Sequence, residues 1–306
     1  MEEKMLRKLL LVSVLNGAYA FENKSSCILD LILQNALTKD IDKCFAGLNC
    51  SQKPLMGKDA LLKKIQHIIK KKKPLIFTCV GFPFKSTYAT NCVIGKLPDM
   101  AERQGLLALN NFIKQVNKIY PAKLILYTDG LAFAKDLGIT AKEVLSYETH
   151  LKILAKDLSY LSIKTMQDLY PDKTPEDLIH LVDTYALEVP SVTEGELSTW
   201  HRHLSKELGK NADKKTNEIL CVKSAAFSKL LKEKHYPKDL IRLSVHFSHN
   251  LSEKIGFALT PQSNLTPWHG VAVKEKGFFK ISSKKEVLKK KLTYETINGI
   301  KCPFYQ

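Results

Sequence analysis

The composition indicates a basic, folded chain. Of its 306 residues, 44% are hydrophobic, which supports a sizeable core and argues against global disorder. The 47 lysine and arginine residues against 31 aspartate and glutamate residues give a formal net charge of +16. This excess is typical of a chain that binds a polyanion or a small anionic substrate, or of a merely lysine-rich composition. Nucleic-acid binding is not favoured, because the chain has no zinc-finger, RNA-recognition or helix-turn-helix signature.

The N-terminal region and the cysteines bear on the compartment. The stretch MLRKLLLVSVLNGAYAF at residues 5–21 is similar to a signal peptide, but Glu2, Glu3 and the Asn16-Gly17 pair are atypical of one. No apolar run reaches the ~18 residues of a membrane-spanning helix. The cysteines are odd in number and form no C-x-x-C pair, which favours reduced thiols; they are Cys27, Cys44, Cys50, Cys79, Cys92, Cys221 and Cys302. We therefore predict a cytoplasmic protein, with a cleaved signal peptide as the alternative.

Hydrophobic periodicity predicts alternating helices and strands over the first half. A short helix is predicted over 27–37 and a longer amphipathic one over 58–73, whose apolar face consists of Leu61, Leu62, Ile65, Ile68 and Ile69. The apolar run 74–80 predicts a buried strand, 99–120 a helix after Pro98, and 122–130 a second buried strand. The crossover between these strands is too long for a hairpin, which predicts a parallel sheet.

The second half divides into a helical and a β-rich part. Residues 131–235 are predicted to be mainly helical, with turns at 170–177 and 187–196. Short strands are predicted within 240–248, 254–261 and 268–282. We therefore predict an α/β fold with a mainly parallel central sheet flanked by helices and a β-rich region over 240–285. The predicted organisation is an N-terminal helical segment, 1–55, followed by one α/β catalytic domain, 56–306.

Familiar catalytic and metal-binding motifs do not match. Lys85-Ser86-Thr87 is similar to the end of a P-loop, but Phe84 stands where that loop needs glycine. The chain contains no G-x-S-x-G, H-E-x-x-H or G-x-G-x-x-G motif. The histidine pairs at 201/203 and 246/249 lack a second ligand pair at a familiar spacing, so no metal site is predicted.

Polar residues follow both predicted strands of the first half. Gly81–Ser86 follows the first strand and Asp129-Gly130 the second, and ligands of open α/β sheets bind outside the carboxyl ends of the strands. The segment LPDMAER, 97–103, is also typical of an ordinary helix start, in which acids complement the helix dipole and Arg103 forms a salt bridge. Its proximity to GFPFKS favours an active site.

Three blocks of the sequence resemble one family. GFPFKS with GKLPDMAERQGLLALNNF, then ILYTDGLAFAKDLGI, and finally IRLSVHFS with KIGFALTPQSNLTPWHGVAV are similar to isocyanide (isonitrile) synthases of the pyoverdine/dityrosine biosynthesis type. The similarity covers residues 60–150 and 236–285, in the family's order. Leu131 is a departure, because the family often has Arg or His directly after the Asp-Gly pair.

The resemblance implies a modified Rossmann-like fold and a specific reaction. Enzymes of this type, carbon-carbon lyases, convert the α-amine of an aromatic amino acid, usually tyrosine or tryptophan, to an isocyanide. The isocyanide carbon comes from C2 of ribulose 5-phosphate. No metal or nucleotide cofactor is implied, and an iron/2-oxoglutarate-dependent oxygenase is implied as the pathway partner that acts on the product. Two alternatives stay open: an enzyme that forms an N-formyl aromatic amino acid, and a basic non-catalytic binding module.

This chemistry suggests roles for the residues of the three blocks. The phosphate and the carboxylate of the substrates need cations, for which the candidates are Lys85, Arg103 and Arg242. Ser86 and Ser244 are candidate hydrogen-bonding groups, and Trp268 is a candidate floor of the aromatic pocket. Proton transfer needs titratable groups, and the candidates are Asp99, Glu102, Asp129, His246 and His269.

Several of these roles have structural alternatives. Lys85 could instead attack the ketone as a nucleophile. Arg242, Ser244 and His246 share one face of a strand, which could be the solvent face of an edge strand. Trp268 could be a core residue. The sequence does not distinguish tyrosine from tryptophan as the substrate.

Overall fold

The computed structural model describes residues 23–35, 54–85, 93–190, 213–244, 255–256, 266–282 and 287–306, together with residues 194, 197 and 259. The chain divides into two compact units, each assembled from separate stretches. The first consists of Met1–Phe77, Asn111–Lys123 and Asp239–Ala258, and the second of Thr78–Asn110, Leu124–Lys238 and Leu259–Gln306. The predicted division into a segment 1–55 and one catalytic domain 56–306 stays a prediction.

The first half has the predicted alternation of helices and strands. Helix α1 covers 23–35 and α2 Pro54–Lys70, followed by β1 Leu75–Val80, α3 Met100–Asn117 and β2 Ala122–Tyr127. In α2, Ile65, Ile68 and Ile69 are buried while the lysines are exposed, as the periodicity predicts. The helix ends before the predicted residue 73, and Lys72 beyond it has the left-handed φ of 53°. The ring of Phe77 on β1 packs edge-to-face against that of Phe112 on α3, with centroids 5.4 Å apart.

The region 131–235 is mainly helical, as predicted. Its helices are α4 Gly130–Phe133, α5 Ala141–Leu154, α6 Met166–Leu169, α7 Pro175–Leu187 and α8 Lys214–Lys234. Helices α5, α6 and α7 each begin with a capping box, in which a threonine and an acid three residues later satisfy each other's backbone amides. A short strand, β3 Leu161–Lys164, interrupts the helices and was not predicted. Its four residues alternate between half-buried and exposed, which is a weak signal.

The central sheet has the order β3-β2-β1-β4-β5, where β4 is Leu240–Ser244 and β5 Ile255–Gly256. Strands β2 and β3 are parallel, with Leu124 opposite Leu161, and β4 and β5 are parallel, with Leu243 opposite Ile255. The predicted fold class, an α/β fold with a mainly parallel sheet flanked by helices, is confirmed. The strands predicted within 240–248 and 254–261 correspond to β4 and β5, and part of each predicted range lies outside the described residues.

A second sheet lies in the C-terminal part of the second unit. It has the order β7-β6-β9-β8, from β6 Val271–Glu275, β7 Phe278–Ser282, β8 Leu292–Ile297 and β9 Ile300–Tyr305. Strands β6 and β9 are parallel, and the two outer pairings are antiparallel. The strand predicted from residue 268 begins at Val271, because Pro267–His269 form a 3-10 helix.

The hairpin of β8 and β9 lies beyond the predicted β-rich region and was missed. Its turn residues, Asn298 and Gly299, have φ values of 50° and 85°. An Asn-Gly pair between alternating residues is a strong hairpin signal, so this element was within reach of the sequence.

The features that bear on the compartment are only partly described. None of the helices in the described ranges combines the length and hydropathy of a membrane span. Cys27, Cys79, Cys221 and Cys302 are free thiols. The other cysteines and residues 1–22, which include the signal-like stretch, lie outside the described residues. The cytoplasmic location stays a prediction.

Candidate active site

The segments that follow β1 and β2 lie directly against each other. The Gly81 amide donates a hydrogen bond to the Tyr127 carbonyl at 3.1 Å. A Cβ atom on Gly130 would lie 2.3 Å from the Pro83 carbonyl oxygen and 2.6 Å from Val144 Cγ1, so only glycine fits at this position. The two polar segments therefore meet at one edge of the sheet, as their positions after parallel strands predict.

The GFPFKS segment is packed against the block that contains Trp268. Phe82 is buried and has the left-handed φ of 59°, which costs a residue with a side chain about 1–2 kcal/mol. Its ring lies 4.9 Å from that of Trp268, centroid to centroid. A Cβ atom on Gly105 would lie 2.8 Å from Pro267 Cγ and 3.1 Å from Phe82 Cζ. This tight packing holds a strained backbone three residues before Lys85, and strain of this kind clusters at functional sites.

Lys85 is the centre of a fully buried cluster of charges. Its Nζ atom lies 3.0 Å from Asp99 Oδ2 and 2.8 Å from Glu102 Oε2, and none of the three side chains is more than 2% exposed. The same nitrogen donates to the carbonyl oxygens of Pro267, at 3.1 Å, and Gly270, at 3.3 Å. An ammonium has three hydrogens, so the two carbonyls and Glu102 use all of its donor capacity. The cluster joins segments that are 182 and 185 residues apart in the chain.

The two acids of the cluster also form the start of α3. The Ala101 amide donates to Asp99 Oδ1 at 2.7 Å, and the Asp99 amide donates to Glu102 Oε2 at 2.9 Å. Asp99 thus caps the second amide of the helix, while Glu102 satisfies the amide of Asp99, which is half of a capping box. The second oxygen of Asp99, Oδ2, faces Lys85 at ion-pair distance but outside hydrogen-bonding geometry. The predicted helix start and the predicted juxtaposition of acids with Lys85 are therefore both correct, because one pair of carboxylates does both.

The charges of the cluster determine where its protons lie. Burial is the main cause that raises the pKa of Glu102 to about 8. The positive charge of Lys85 opposes this rise, and the negative charge of Asp99 adds to it. Burial alone would lower the pKa of Lys85, but the charges of Asp99 and Glu102 outweigh it, and the pKa is raised. With a pKa of about 8, Glu102 is largely protonated near neutral pH, next to the Lys85 ammonium. A protonated acid is the form that a site without solvent favours.

Tyr147 contacts the cluster from α5. Its buried hydroxyl donates to Glu102 Oε1 at 3.1 Å. Burial, and then the charge of Glu102, raise the pKa of Tyr147 well above its ordinary value, so the phenol stays protonated. Sequence reasoning missed this residue. Tyr147 lies on the same face of α5 as the buried Leu151 and Leu154, so its spacing in the sequence is typical of a core tyrosine.

A second pair of acids lies behind β2. Thr128 Oγ1 donates to Glu148 Oε1 at 2.5 Å. Glu148 Oε2 and Asp129 Oδ1 are buried and accept no hydrogen bond from the described residues. Burial is the main cause that raises the pKa of each carboxyl to about 7. Asp129 was predicted as a titratable group, whereas Glu148 and Thr128 were not predicted. Both acids are poised to exchange protons near neutral pH.

Arg103 forms the salt bridge that an ordinary helix start predicts. Its Nη1 atom lies 2.8 Å from Asp157 Oδ1 and its Nη2 atom 2.6 Å from Asp157 Oδ2. Nη1 also donates to the Leu154 carbonyl at 2.5 Å. Both outer nitrogens of the Arg103 guanidinium therefore donate hydrogen bonds within the protein. The predicted role of Arg103 as a substrate-binding cation stays a prediction, and this bidentate pair weighs against it.

Trp268, His269 and Leu131 lie in the same unit. Trp268 is fully buried against Phe82, which supports the core alternative. His269 is half-buried at the end of the 3-10 helix, and its amide donates to the Thr266 carbonyl at 3.0 Å. Leu131, the departure from the family pattern, is fully buried in α4. An apolar side chain in that position is part of the core.

The remaining candidates lie in the first unit or outside the described residues. Arg242 is half-buried and Ser244 buried, both on β4. Strand β4 lies between β1 and β5, so it is not an edge strand and that alternative is wrong. Ser86 and His246 lie outside the described residues, as do the histidines at 201, 203 and 249. The roles of all these candidates stay predictions.

The comparison with known families agrees with the resemblance of the three blocks. The family model described as pyoverdine/dityrosine biosynthesis protein matches residues 65–194 and 183–297. The chain belongs to this family. Its matched residues contain both acid pairs and Lys85, so the clusters described above lie within the part that the pyoverdine/dityrosine family shares.

Curated and solved relatives support this assignment. The L-tryptophan isonitrile synthase AmbI2 of Fischerella ambigua is 28% identical over 239 residues, which are 69% of this chain and 72% of the relative. An L-tyrosine isonitrile synthase of Xenorhabdus nematophila is 28% identical over 258 residues, which are 74% of this chain and 76% of the relative. The crystal structure of PvcA from Pseudomonas aeruginosa has a TM-score of 0.75 at 22% identity and covers 92% of this chain and 99% of that chain.

Proposed function

We propose that this protein is an isonitrile synthase. It converts the α-amine of an aromatic L-amino acid, tyrosine or tryptophan, to an isocyanide whose carbon comes from C2 of ribulose 5-phosphate. The observation that carries this proposal is the buried cluster of Lys85, Asp99 and Glu102 in a member of the pyoverdine/dityrosine family. Relatives named for tryptophan and for tyrosine are both 28% identical to this chain, so the amino acid stays open.

The two acid pairs support the proton transfers of this reaction. Condensation of an amine with a ketone requires a neutral amine and a proton for the leaving water. Later steps remove protons from sugar carbons and return them. A group serves best as acid and base when its pKa lies near the working pH, and Glu102, Asp129 and Glu148 meet this condition with pKa values of about 8, 7 and 7.

The surroundings of Lys85 favour an electrostatic role. A nucleophilic amine must be neutral, whereas the charges of Asp99 and Glu102 raise the pKa of Lys85 and keep it an ammonium. Its three donors are already used by the Pro267 and Gly270 carbonyls and by Glu102, which weighs against direct binding of the phosphate. We propose that Lys85 fixes the charge and orientation of Asp99 and Glu102, and we retain Arg242 as the candidate cation for the phosphate.

Isotope tracing tests the proposed reaction. Purified protein is incubated with ribulose 5-phosphate that carries 13C at C2 and, in separate reactions, with each common amino acid. The expected result is consumption of the sugar phosphate only with an aromatic amino acid, and a product whose 13C lies in an isocyanide. A labelled formyl group would establish the N-formyl alternative instead. No consumption with any amino acid would favour the binding module.

The proposed isocyanide product indicates which class of enzyme acts next in the pathway. An isocyanide that retains the amino-acid carboxylate is a substrate for oxidative decarboxylation, a reaction of iron/2-oxoglutarate-dependent oxygenases. We propose such an enzyme as the next step of the pathway rather than as a subunit. Four free thiols among the described cysteines support the proposed cytoplasmic location. The test is conversion of the purified isocyanide by the oxygenase alone, without this protein.

A further inference from the structure

A hydrogen-bonded network of Arg103, Asp157 and Asn298 lies beside the charged cluster in the second unit. Arg103 is in the first turn of α3, directly after Glu102, and its fork holds the Asp157 carboxylate at 2.6 and 2.8 Å. Asn298 Nδ2 donates to Asp157 Oδ1 at 2.8 Å. Asp157 therefore accepts three hydrogen bonds, two from α3 and one from the turn between β8 and β9.

The network also completes the C-terminal end of α5. The last carbonyls of a helix have no partner within the helix and need one from elsewhere. Asn298 Nδ2 donates to the Ile153 carbonyl at 2.9 Å, and Arg103 Nη1 donates to the Leu154 carbonyl at 2.5 Å. The left-handed φ of Asn298, 50°, is the conformation that an Asn-Gly hairpin turn requires. The rigid turn thus presents the amide that holds both Asp157 and α5.

Helices α3 and α5 are consequently joined at two points. At one point the Tyr147 hydroxyl donates to Glu102, and at the other Arg103 contacts Leu154 and Asp157. Tyr147 and Leu154 are seven residues apart on α5, or about 10 Å along its axis. Glu102 and Arg103 are adjacent on α3. Together with the contacts of Lys85 to Asp99 and Glu102, two contacts at this separation restrain the rotation of the first turn of α3 relative to α5.

The bidentate geometry of the network distinguishes it from an ordinary surface ion pair. The Arg103 side chain is 9% exposed and the Asp157 side chain 50%, so the arginine is buried and both of its outer nitrogens hold one exposed carboxylate. Such a pair has a fixed geometry that a single exposed contact lacks. The hydrogen bond from Arg103 is the main cause that lowers the pKa of Asp157 to about 2, so the carboxylate stays charged at any pH used for assay.

We propose that Asp157 is a positioning residue that acts through Arg103 to hold the Glu102 carboxyl in its hydrogen bond with Tyr147, and that the Asn298 turn completes this support. Arg103 then has a structural role in place of the substrate-binding role that the sequence suggested. The expected consequence for turnover rests on the proposed isonitrile synthase activity. The expected consequence for the titration of Glu102 does not.

The test follows the titration of Glu102 and the kinetics in the same variants. The 13Cδ resonance of Glu102 is observed by NMR in carboxyl-labelled protein without substrate and is assigned by its loss in Glu102→Gln. The variants are Asp157→Asn, which removes the charge but keeps an acceptor, Asp157→Ala, which removes both, and Asn298→Ala. The matched control is Glu275→Gln, because Glu275 is likewise a carboxylate held by two side chains, those of Lys280 and Lys290, at 2.8 and 3.0 Å.

We expect Asp157→Asn to lower the titration midpoint of Glu102 toward its ordinary value, because water enters a loosened cluster. We expect kcat to fall about ten- to a hundredfold, with KM nearly unchanged. Asp157→Ala should have the larger effect, Asn298→Ala a smaller one, and Glu275→Gln neither. If Asp157→Ala does not fold, the other two variants still decide the question.

The two readouts separate this inference from the proposed function. A shifted midpoint in a protein that makes no isocyanide would support the positioning role and overturn the activity. A lower kcat with an unchanged Glu102 midpoint would overturn the positioning role and leave the activity in place. A lower melting temperature with neither change would show an ordinary structural salt bridge and would also overturn the inference.

Discussion

Two lysines of this protein each lie between two carboxylates, in opposite surroundings. Lys85 lies 3.0 Å from Asp99 and 2.8 Å from Glu102, and both acids are at most 2% exposed. Lys223 on α8 lies 2.5 Å from Asp136 and 2.6 Å from Asp183, whose side chains are 18% and 30% exposed. The chemical groups and the distances are nearly the same. The access of water to the acids is not.

This difference decides what each cluster can do. In the Lys223 cluster both carboxylates are partly exposed, so a net negative charge costs less and the arrangement is an ion pair that links helices. In the Lys85 cluster no solvent offsets the second negative charge, and burial raises the pKa of Glu102 to about 8. Burial, rather than the pattern of charges, therefore turns a lysine with two acids into a site that holds a movable proton.

Substitution of Lys85 and of Lys223, one at a time, should give the largest difference in stability between the two clusters. Lys85→Met leaves two buried acids without their cation, and we expect the free energy of unfolding at pH 7.5 to fall by about 3–5 kcal/mol. The loss should be smaller at pH 5, where the acids can protonate. Lys223→Met should cost clearly less, because water reaches its acids. Urea unfolding at both pH values measures this.

A double variant sharpens the result for Lys85. Lys85→Met/Asp99→Asn removes the uncompensated carboxylate together with the cation, so part of the lost stability should return. Equal losses for Lys85→Met and Lys223→Met, or no recovery in the double variant, would show that the two clusters do not differ as proposed.

Substitution of one acid in each cluster should separate their roles in turnover. Glu102→Gln keeps the shape of the side chain but cannot transfer a proton, and we expect kcat to fall about 10²–10⁴-fold. Asp183→Asn should leave kcat within about twofold, since surface changes have small effects. The assay is formation of labelled isocyanide at saturating substrates. A large loss with Asp183→Asn alone would reverse the assignment of the active cluster.

The pH dependence of stability should reflect the buried acids. Glu102, Asp129 and Glu148 have raised pKa values in the folded protein, so between about pH 4.5 and 8 the folded state binds more protons than the unfolded one. Their contribution to the free energy of unfolding is therefore complete below this window and is lost as the pH rises through it. Each group contributes a slope of up to about 1.4 kcal/mol per pH unit.

Glu102→Gln tests the share of one group in that slope. The free energy of unfolding is measured from pH 5 to 8, and the decline with pH should be shallower in Glu102→Gln than in the wild type. The control is Asp177→Asn, which should leave the slope as it is, because the hydrogen bond from Thr174 lowers the pKa of Asp177. Carboxyls with lowered pKa values, such as Asp157 at about 2, lose their contribution only below about pH 4 and do not interfere.

The smallest expected effect concerns the hydroxyl that contacts Glu102. Tyr147→Phe leaves Glu102 Oε1 without its donor, and we expect a loss of about 1–2 kcal/mol in stability and a shift in the pH profile of kcat. Tyr294→Phe is the control, because that ring is 46% exposed. Both are measured by urea unfolding and by kinetics over pH. An unchanged pH profile in Tyr147→Phe would mean that the tyrosine only fills the core.

Much of the fold could be predicted because its signals are local. The apolar runs of β1 and β2, the face of α2 and the acids at the start of α3 each depend on residues within a few positions of one another. Strand β3 was missed because four alternating residues among helices are a weak pattern. The β8–β9 hairpin was missed although its Asn-Gly turn is a local signal.

The candidate site could be predicted only in part. GFPFKS and LPDMAER indicated that Lys85, Asp99 and Glu102 lie close together, and the structure confirms it. Tyr147 and Glu148 were missed, since their positions on α5 are those of ordinary helix residues. The sequence around Arg103 fits both a substrate-binding cation and a structural one. Its partner, Asp157, lies 54 residues away, so the sequence does not reveal the pair.

The sequence by itself determined the order of helices and strands, the family and the acids that begin α3, because periodicity, capping and motif order act over short distances. Only the tertiary structure decided that the acids around Lys85 are buried while those around Lys223 are partly exposed. The burial around Lys85 comes from the carbonyls of Pro267 and Gly270 and from the packing of Phe82 on Trp268, more than 180 residues away. Burial, and with it the proton on Glu102, is a property of segments that meet only when the chain folds.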